Sequence, residues 1–187
     1  MDKSENNKIR IILAEDQELL RKSFISLLKE DSEIEIIAEA GNGKELIELL
    51  KITPPDIVLL DIEMPVMNGM EALEIMCDSF PDVKVIMLTM HAGAGFIAEF
   101  MARGARAYLA KNCDPDTLFE AIHVVHTDGY YFDRTISEAL LKGLQQQKLS
   151  NAALDELGLS DKEVTVLKEI CQGKTNKQIA GALNMPP

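Results

Sequence analysis

No apolar run in this sequence reaches the roughly 18 residues that a membrane-spanning helix needs. The first residues, MDKSENNK, also lack the basic-then-apolar layout of a secretion signal, so a cytoplasmic protein is expected, with no membrane partner. Cysteine is scarce. Cys77, Cys113 and Cys171 lie far apart, with none of the spacing of a disulfide framework or a zinc site, and they read as reduced, packed thiols. An excess of basic charge is missing too: 19 Lys and Arg stand against 31 Asp and Glu, a net charge of −12. The imbalance is local. Residues 1–130 carry 24 acidic and 12 basic side chains, whereas the remainder of the chain is balanced. The first part would therefore be repelled by a polyanion such as DNA, and the second carries neither that penalty nor a basic patch.

What is present is enough for a core. With 187 residues, 47% hydrophobic and 27% charged, the chain is globular over most of its length and long enough for one domain plus a small appendage. Through the first 130 residues, short apolar runs alternate with segments of helical period, as in successive βα units around a parallel sheet. Strands are expected at Ile9–Ala14, Ile34–Ala40, Ile57–Leu60, Val83–Leu88 and Ala107–Leu109. Most are Ile, Val and Leu without polar alternation, as befits strands covered on both faces. Helices are expected at Leu19–Leu28, Lys44–Leu50, Gly69–Ser79, Gly95–Ala102 and Pro115–His126. In the first of these, Leu20, Phe24, Leu27 and Leu28 form an apolar stripe. Right-handed crossovers then place helices on both sides of a five-stranded sheet.

Beyond Asp128-Gly129 the pattern changes. Residues 136–144 read as a helix and QQQKLSNAA as a polar linker, so that 131–155 is a helical linker. Ser160 and Glu163 have the spacing of a capping box, opening an amphipathic helix with Val164, Leu167 and Ile170 on one face. Gly173 stops that helix, and a shorter one, Lys177–Leu183, follows. Helix, glycine-containing turn, helix is how a helix-turn-helix begins.

Ligands of an open parallel sheet sit at the carboxyl ends of its strands. The polar residues that fall there are Glu15, Asp16, Asp61, Thr89 and Lys111. Singly each has a plain explanation, because a strand-end Asp or Thr commonly caps the next helix and a Lys is commonly solvated. Jointly they are harder to dismiss. Close carboxylates repel by roughly 4 kcal/mol per pair at an effective dielectric of about 20, and something positive must offset that. Hard oxygen ligands suit Mg²⁺. With a metal and Lys111 on two sides, Asp61 could act as the nucleophile toward a phosphoryl group. Thr89 has a hydroxyl to bond the new phosphoryl oxygen, and Tyr108 is an aromatic placed to respond to Thr89. Met64, Met67 and Met70 around Asp61 read as gap-filling side chains. His91, His123 and His126 lack clustered partners.

The runs RIILAEDQ, DIVLLDIEMPVMNGMEAL, VIMLTMH and GARAYLAKN, in this order, resemble the receiver domain of two-component response regulators over about residues 8–130. The segment LSDKEVTVLKEICQGKTNKQIAGALNMPP is similar to the first part of the LuxR-type helix-turn-helix of the NarL/FixJ class. The resemblance implies a CheY-like (flavodoxin-like) doubly wound (βα)5 fold for a receiver over 1–130. The linker and a partial helix-turn-helix over 156–187 would follow, with the recognition helix absent. It implies Asp61 as phosphoacceptor and Lys111 and Thr89 as phosphate-binding residues. Thr89 and Tyr108 match the switch pair, with Tyr108 turning inward on phosphorylation. For Mg²⁺ or Mn²⁺ it implies Asp16, Asp61 and the backbone carbonyl of Glu63 as ligands, with Glu15, in place of the commoner Asp, acting through water. The implied partners are a sensor histidine kinase, a second copy upon phosphorylation, and DNA in a longer form, with Lys174 and Lys177 as phosphate contacts. The function expected is transcription regulation rather than enzymatic turnover. A stand-alone receiver acting through protein contacts, and an aspartyl-phosphate phosphohydrolase, are the competing readings. Against the last, phosphatases of the haloacid-dehalogenase type place their nucleophile after the first strand and a second Asp two residues on, where this chain has Glu63.

Overall fold

The computed structural model describes residues 8–90, 94–134 and 136–138. The chain divides into two compact units, residues 1–91 with 103–131 and residues 92–102 with 132–187.

The first unit holds five strands, β1 (Ile9–Ala14), β2 (Ile34–Ala40), β3 (Ile57–Asp61), β4 (Lys84–Thr89) and β5 (Ala107–Ala110). They form one sheet in the order β2-β1-β3-β4-β5, and every neighbouring pair is parallel. Its helices are α1 (Glu18–Leu28), α2 (Gly43–Ile52), α3 (Gly69–Ser79) and α5 (Pro115–Asp128). The second unit contributes α4 (Ala94–Ala102), in which Ile97, Phe100 and Met101 are buried, and helical residues 136–138, where Ser137 N–H bonds the Asp133 carbonyl at 3.0 Å. The part of the expected linker helix beyond 138, the expected helix-turn-helix with Lys174 and Lys177, and His91 lie outside the described residues.

Local chemistry accounts for the element boundaries. Asn42 caps α2 by accepting the Glu45 N–H at 3.0 Å. Asn68 and Glu71 close a reciprocal capping box on α3, each side chain accepting the other's backbone N–H at 2.9 Å. Pro115 occupies the first turn of α5, where its missing N–H costs nothing, and Gly129 ends that helix at φ 92°. β1, β3, β4 and β5 are buried almost without interruption, whereas β2, at the edge of the sheet, is buried only at Ile34 and Ala40. Alternate residues Ile11, Leu13, Ile57, Leu59, Ile86 and Leu88 pack with Phe24 and Leu28 of α1 and Leu118, Ile122 and Val125 of α5. Each such side chain contributes about 1.5–3 kcal/mol on burial, so the uninterrupted apolar runs are what fix the sheet as a two-faced core.

Two strands end later than the apolar run suggests. β3 and β4 include Asp61 and Thr89 as their last residues instead of stopping at the preceding leucines. Backbone bonds keep both in the ladder: Ile62 N–H reaches the Leu88 carbonyl at 3.3 Å, and Lys111 N–H reaches the Thr89 carbonyl at 2.7 Å. Hydrophobicity marks where a strand is buried, whereas the hydrogen-bond ladder decides where it stops.

Candidate functional site

The strand order changes direction between β1 and β3, because the chain leaves β1 toward β2 and returns past it to β3. The loops that follow these two strands therefore diverge and leave a crevice at their carboxyl ends. Glu15 and Asp16 follow β1 directly, and Asp61 ends β3. One carboxylate oxygen from each of the three lies within 4.8 Å of the others. Lys111, just past β5, reaches into the same place. Its Nζ is 2.8 Å from Glu15 Oε2 and 2.8 Å from Asp61 Oδ2.

This cluster is almost dry. The side chains of Glu15, Asp61 and Lys111 are 0%, 2% and 3% exposed, while Asp16 is the least buried of the acids and forms the rim. Burial, the largest influence, pushes the Glu15 carboxyl above its ordinary range, against the bond from Lys111. Burial likewise raises Asp61, again opposed by Lys111. For Lys111 burial works against the charge, but the bonds to Asp61 and Glu15 outweigh it and hold the ammonium above its usual range.

The charges do not balance, since one ammonium faces two buried carboxylates and a third at the rim. Glu15 Oε2 and Asp61 Oδ2 have no hydrogen bond beyond their ion pairs with Lys111 among the described residues. Buried anionic oxygens with spare lone pairs, grouped at this spacing, form a donor set that can hold a hard metal ion. The remaining oxygens are held by backbone: Gln17 N–H donates to Glu15 Oε1 at 3.1 Å and Glu63 N–H to Asp61 Oδ1 at 3.2 Å. Glu63 thus meets the site through its main chain, and its side chain is exposed.

Thr89 and Tyr108 are both buried, at 6% and 3% exposure, and the Tyr108 hydroxyl is hydrogen-bonded to Thr89. Burial raises the Tyr108 phenol, and the Thr89 bond partly counters this. The sequence reading has Tyr108 turning inward on phosphorylation. In this structure the ring is already inside, because the hydroxyl has a partner there and the ring loses water at little cost.

Two residues that support the site were not singled out from the sequence. Arg21 donates from Nη1 to the Glu15 carbonyl at 2.7 Å and pairs through Nε with Glu39 at 3.1 Å, tying the acidic loop to the end of β2. Gly69 opens α3 so close to Asp61 that a Cβ there would sit 2.2 Å from the Asp61 carbonyl oxygen. A glycine at the first position of an otherwise good helix was the available signal, since it weakens the helix unless a backbone must pass closely. Two other expectations need correction. His123 does have a partner, Asp31 Oδ2 at 2.7 Å, supplied from ninety-two residues away where spacing could not show it. Cys77 is exposed, not packed, with Sγ donating to the Arg103 carbonyl at 2.8 Å. Among the described residues no helix is long and apolar enough to cross a membrane.

The chain is similar to known proteins along most of its length. Residues 11–123 match the response regulator receiver domain, and residues 157–187 match the bacterial regulatory proteins of the luxR family. The transcriptional regulatory protein LnrK of Bacillus subtilis (strain 168) is 39% identical over 184 residues, covering 94% of this chain and 82% of LnrK. A two-component response regulator of the LuxR family from Aurantimonas sp. SI85-9A1 superimposes with a TM-score of 0.67 at 27% identity, over 73% of this chain and 97% of that one. A DNA-binding response regulator of the LuxR family from Staphylococcus aureus gives 0.60 at 33% identity, over 64% of this chain and 99% of that one. These are families of transcriptional regulators and not of phosphohydrolases. With an acidic crevice, a buried lysine and a parallel sheet of this order, the chain belongs to the two-component response regulators of the NarL/FixJ type, a receiver joined to a LuxR-type DNA-binding region.

Proposed function

We propose that this regulator takes a phosphoryl group onto Asp61 from a sensor histidine kinase and passes the change to its LuxR-type region. The observation that carries the proposal is the placement of Lys111 Nζ, 2.8 Å from both Glu15 and Asp61 in a nearly water-free pocket. In the transfer, an Asp61 carboxylate oxygen bonds to phosphorus while the bond from phosphorus to the kinase histidine nitrogen breaks, its electron pair leaving with the imidazole. Negative charge then moves onto the phosphoryl oxygens at Asp61, where the Lys111 ammonium neutralises it. Asp16, Asp61 and the Glu63 carbonyl, with Glu15 through water, would hold Mg²⁺ or Mn²⁺, which supplies the second positive charge on the phosphoryl oxygens.

Thr89 carries the signal outward. Its hydroxyl is already bonded to Tyr108, so a phosphoryl oxygen that recruits it has to share or displace that bond. A charge-assisted bond of this kind is worth about 1.5–3 kcal/mol, enough to move a two-state equilibrium about tenfold or more. The receiver assigned here spans 1–130, the linker 131–155 and the DNA-binding part 156–187, with Lys174 and Lys177 as phosphate contacts. A second copy joining on phosphorylation, a cytoplasmic setting, and phosphoryl gain and loss promoted by the receiver itself complete the reading.

The test is intact mass after incubation with Mg²⁺ and a small phosphodonor. The wild type should gain one acid-labile phosphoryl group and Asp61→Asn none. Modification of the Asn variant to the wild-type extent would remove Asp61 from the mechanism.

A further inference from the structure

Two loops carry the groups assigned above to the metal. The β1–α1 loop holds Glu15 and Asp16, and the β3–α3 loop leaves Asp61 and holds Glu63. β1 and β3 keep these loops in register as far as the pair Ala14 and Leu60. Past that pair, the spacing depends on what braces each loop.

Braces for both loops lead to the β2–α2 turn at residues 39–43, although β2 gives no carboxylate to the cluster. Glu15 N–H bonds the Ala40 carbonyl at 3.0 Å. The Glu15 carbonyl in turn accepts from Arg21 Nη1 at 2.7 Å, while Arg21 Nε is held by Glu39 at 3.1 Å. With only 18% of its side chain exposed, Arg21 is a fork joining two elements and not a solvated cation. For the other loop, Gly43 N–H bonds the Met67 carbonyl at 3.0 Å. A Cβ on Gly43 would lie 2.8 Å from that carbonyl oxygen and 2.7 Å from Met67 Cγ, so glycine is what lets α2 approach the loop this closely. Glu45 closes the turn on itself, its side chain accepting the Gly41 N–H at 2.7 Å and its own N–H bonding Asn42 Oδ1 at 3.0 Å.

The second loop also carries strain. Val66, exposed and at φ 69°, is the centre of a three-residue turn closed by Met67 N–H on the Pro65 carbonyl at 2.8 Å. A β-branched residue in that conformation is costly. Such strain persists where the surroundings over-determine it, and the Gly43 bond is a restraint of that kind from outside the loop.

We propose that the β2–α2 turn is the buttress of the metal site, with Arg21 and Gly43 as positioning residues. Arg21 fixes the loop of Glu15 and Asp16, and Gly43 fixes the loop of Asp61 and Glu63. Together they set the separation at which Asp16, Asp61 and the Glu63 carbonyl share one divalent ion. Neither residue is itself a ligand. A small divalent cation demands close to ideal ligand distances, so a loop displaced by a fraction of an ångström loses affinity even though every ligand is still present. The inference rests on the metal reading given under the proposed function.

The test is the dissociation constant of Mn²⁺ alone, read on the whole chain from the electron paramagnetic resonance signal of the free ion, without any phosphodonor. Arg21→Met removes a cation as well as both bonds. Charge alone would then tighten Mn²⁺ binding, whereas loss of the brace should weaken it about tenfold. Gly43→Ala keeps every charge and should also weaken it about tenfold. Leu50→Ala, a cavity under the far end of α2, destabilises the fold without touching either brace and should change affinity less than about twofold. Circular dichroism selects a temperature at which each variant is folded, and Arg21→Met decides the matter if Gly43→Ala does not fold. The proposal is overturned if Arg21→Met binds Mn²⁺ as tightly as the wild type or more so, if folded Gly43→Ala binds it unchanged, or if Leu50→Ala weakens it as much as they do. Asp16→Ala separates the two levels. If it binds Mn²⁺ like the wild type, the metal reading itself falls and the buttress with it; if it loses the ion while Arg21→Met does not, the buttress alone is wrong.

Discussion

Two aspartates in this molecule each accept from a nitrogen at hydrogen-bond distance, and their acidities move in opposite directions. Asp61, 2.8 Å from Lys111, is pushed up, whereas Asp31, 2.7 Å from His123, is held below its ordinary range. The difference is water. At Asp61 desolvation is the largest influence and exceeds everything Lys111 returns. At Asp31, on the partly open seam between the α1–β2 loop and α5, the bond from His123 dominates and desolvation is secondary. A carboxylate–nitrogen contact of the same length is thus a stabilising clasp at the surface and a reservoir of unfavourable charge inside. The second arrangement is poor for stability and well suited to receiving a cationic ligand or a phosphoryl group, because whatever neutralises the excess charge is bound the more strongly.

The comparison can be pressed hardest at Lys111. Lys111→Met removes the one cation that two buried carboxylates share, and unfolding in urea should show a loss of about 3–5 kcal/mol. A loss below about 1 kcal/mol would mean that the pocket is already hydrated and not the dry site described. Asp61→Asn is the opposite experiment. It leaves Glu15 and Lys111 as a matched pair, so stability should rise by about 1–2 kcal/mol even as phosphoryl acceptance is lost. A protein destabilised by this change would show that Asp61 belongs to a balanced structural ion pair.

The surface aspartate should respond more weakly. His123→Gln is expected to cost about 0.5 kcal/mol, reduced further by salt, because the pair is partly solvated. Its pH dependence follows from the lowered Asp31 value. A carboxyl more acidic in the folded chain than in the unfolded one adds stability in full above its unfolded value, and that stability is lost as pH falls through the folded value. The gap between wild type and His123→Gln should therefore be full above the ordinary carboxylate range and close as pH falls through the lowered Asp31 value. A gap that widens on acidification would reverse the assignment. Smallest of all is Lys51→Ala, which breaks a fully solvated pair with Glu48 and should leave the unfolding midpoint unchanged.

The first two strands and α3 are legible to the residue, because long Ile- and Leu-rich runs and the Asn-x-x-Glu capping box are local signals that nothing distant overrides. The ends of β3 and β4 are less so, since Asp61 and Thr89 are polar and are held in the ladder by residues from neighbouring strands. Among the site residues, Glu15, Asp16, Asp61, Thr89 and Lys111 could be named from the sequence because a parallel sheet gathers every strand's carboxyl end at one edge. Their common destination follows from alternation of strand and helix alone. Arg21 could not be named and Gly69 carried only the hint of a glycine opening a helix, since their importance lies in what passes within contact distance: the Glu15 carbonyl for one, the Asp61 carbonyl for the other.

By itself, then, the sequence determined the class of fold, the edge of the sheet where chemistry gathers and the residue types found there, since apolar period and strand-end polarity are properties of consecutive residues. Only the tertiary structure decided that Lys111 lies between Glu15 and Asp61, that Tyr108 is already bonded to Thr89, that His123 meets Asp31, and that Val66 is held outward in a strained turn. Each of these depends on distances between segments far apart in the chain. Such distances are set by how the strands order and how the helices pack on them, and local periodicity carries no record of either.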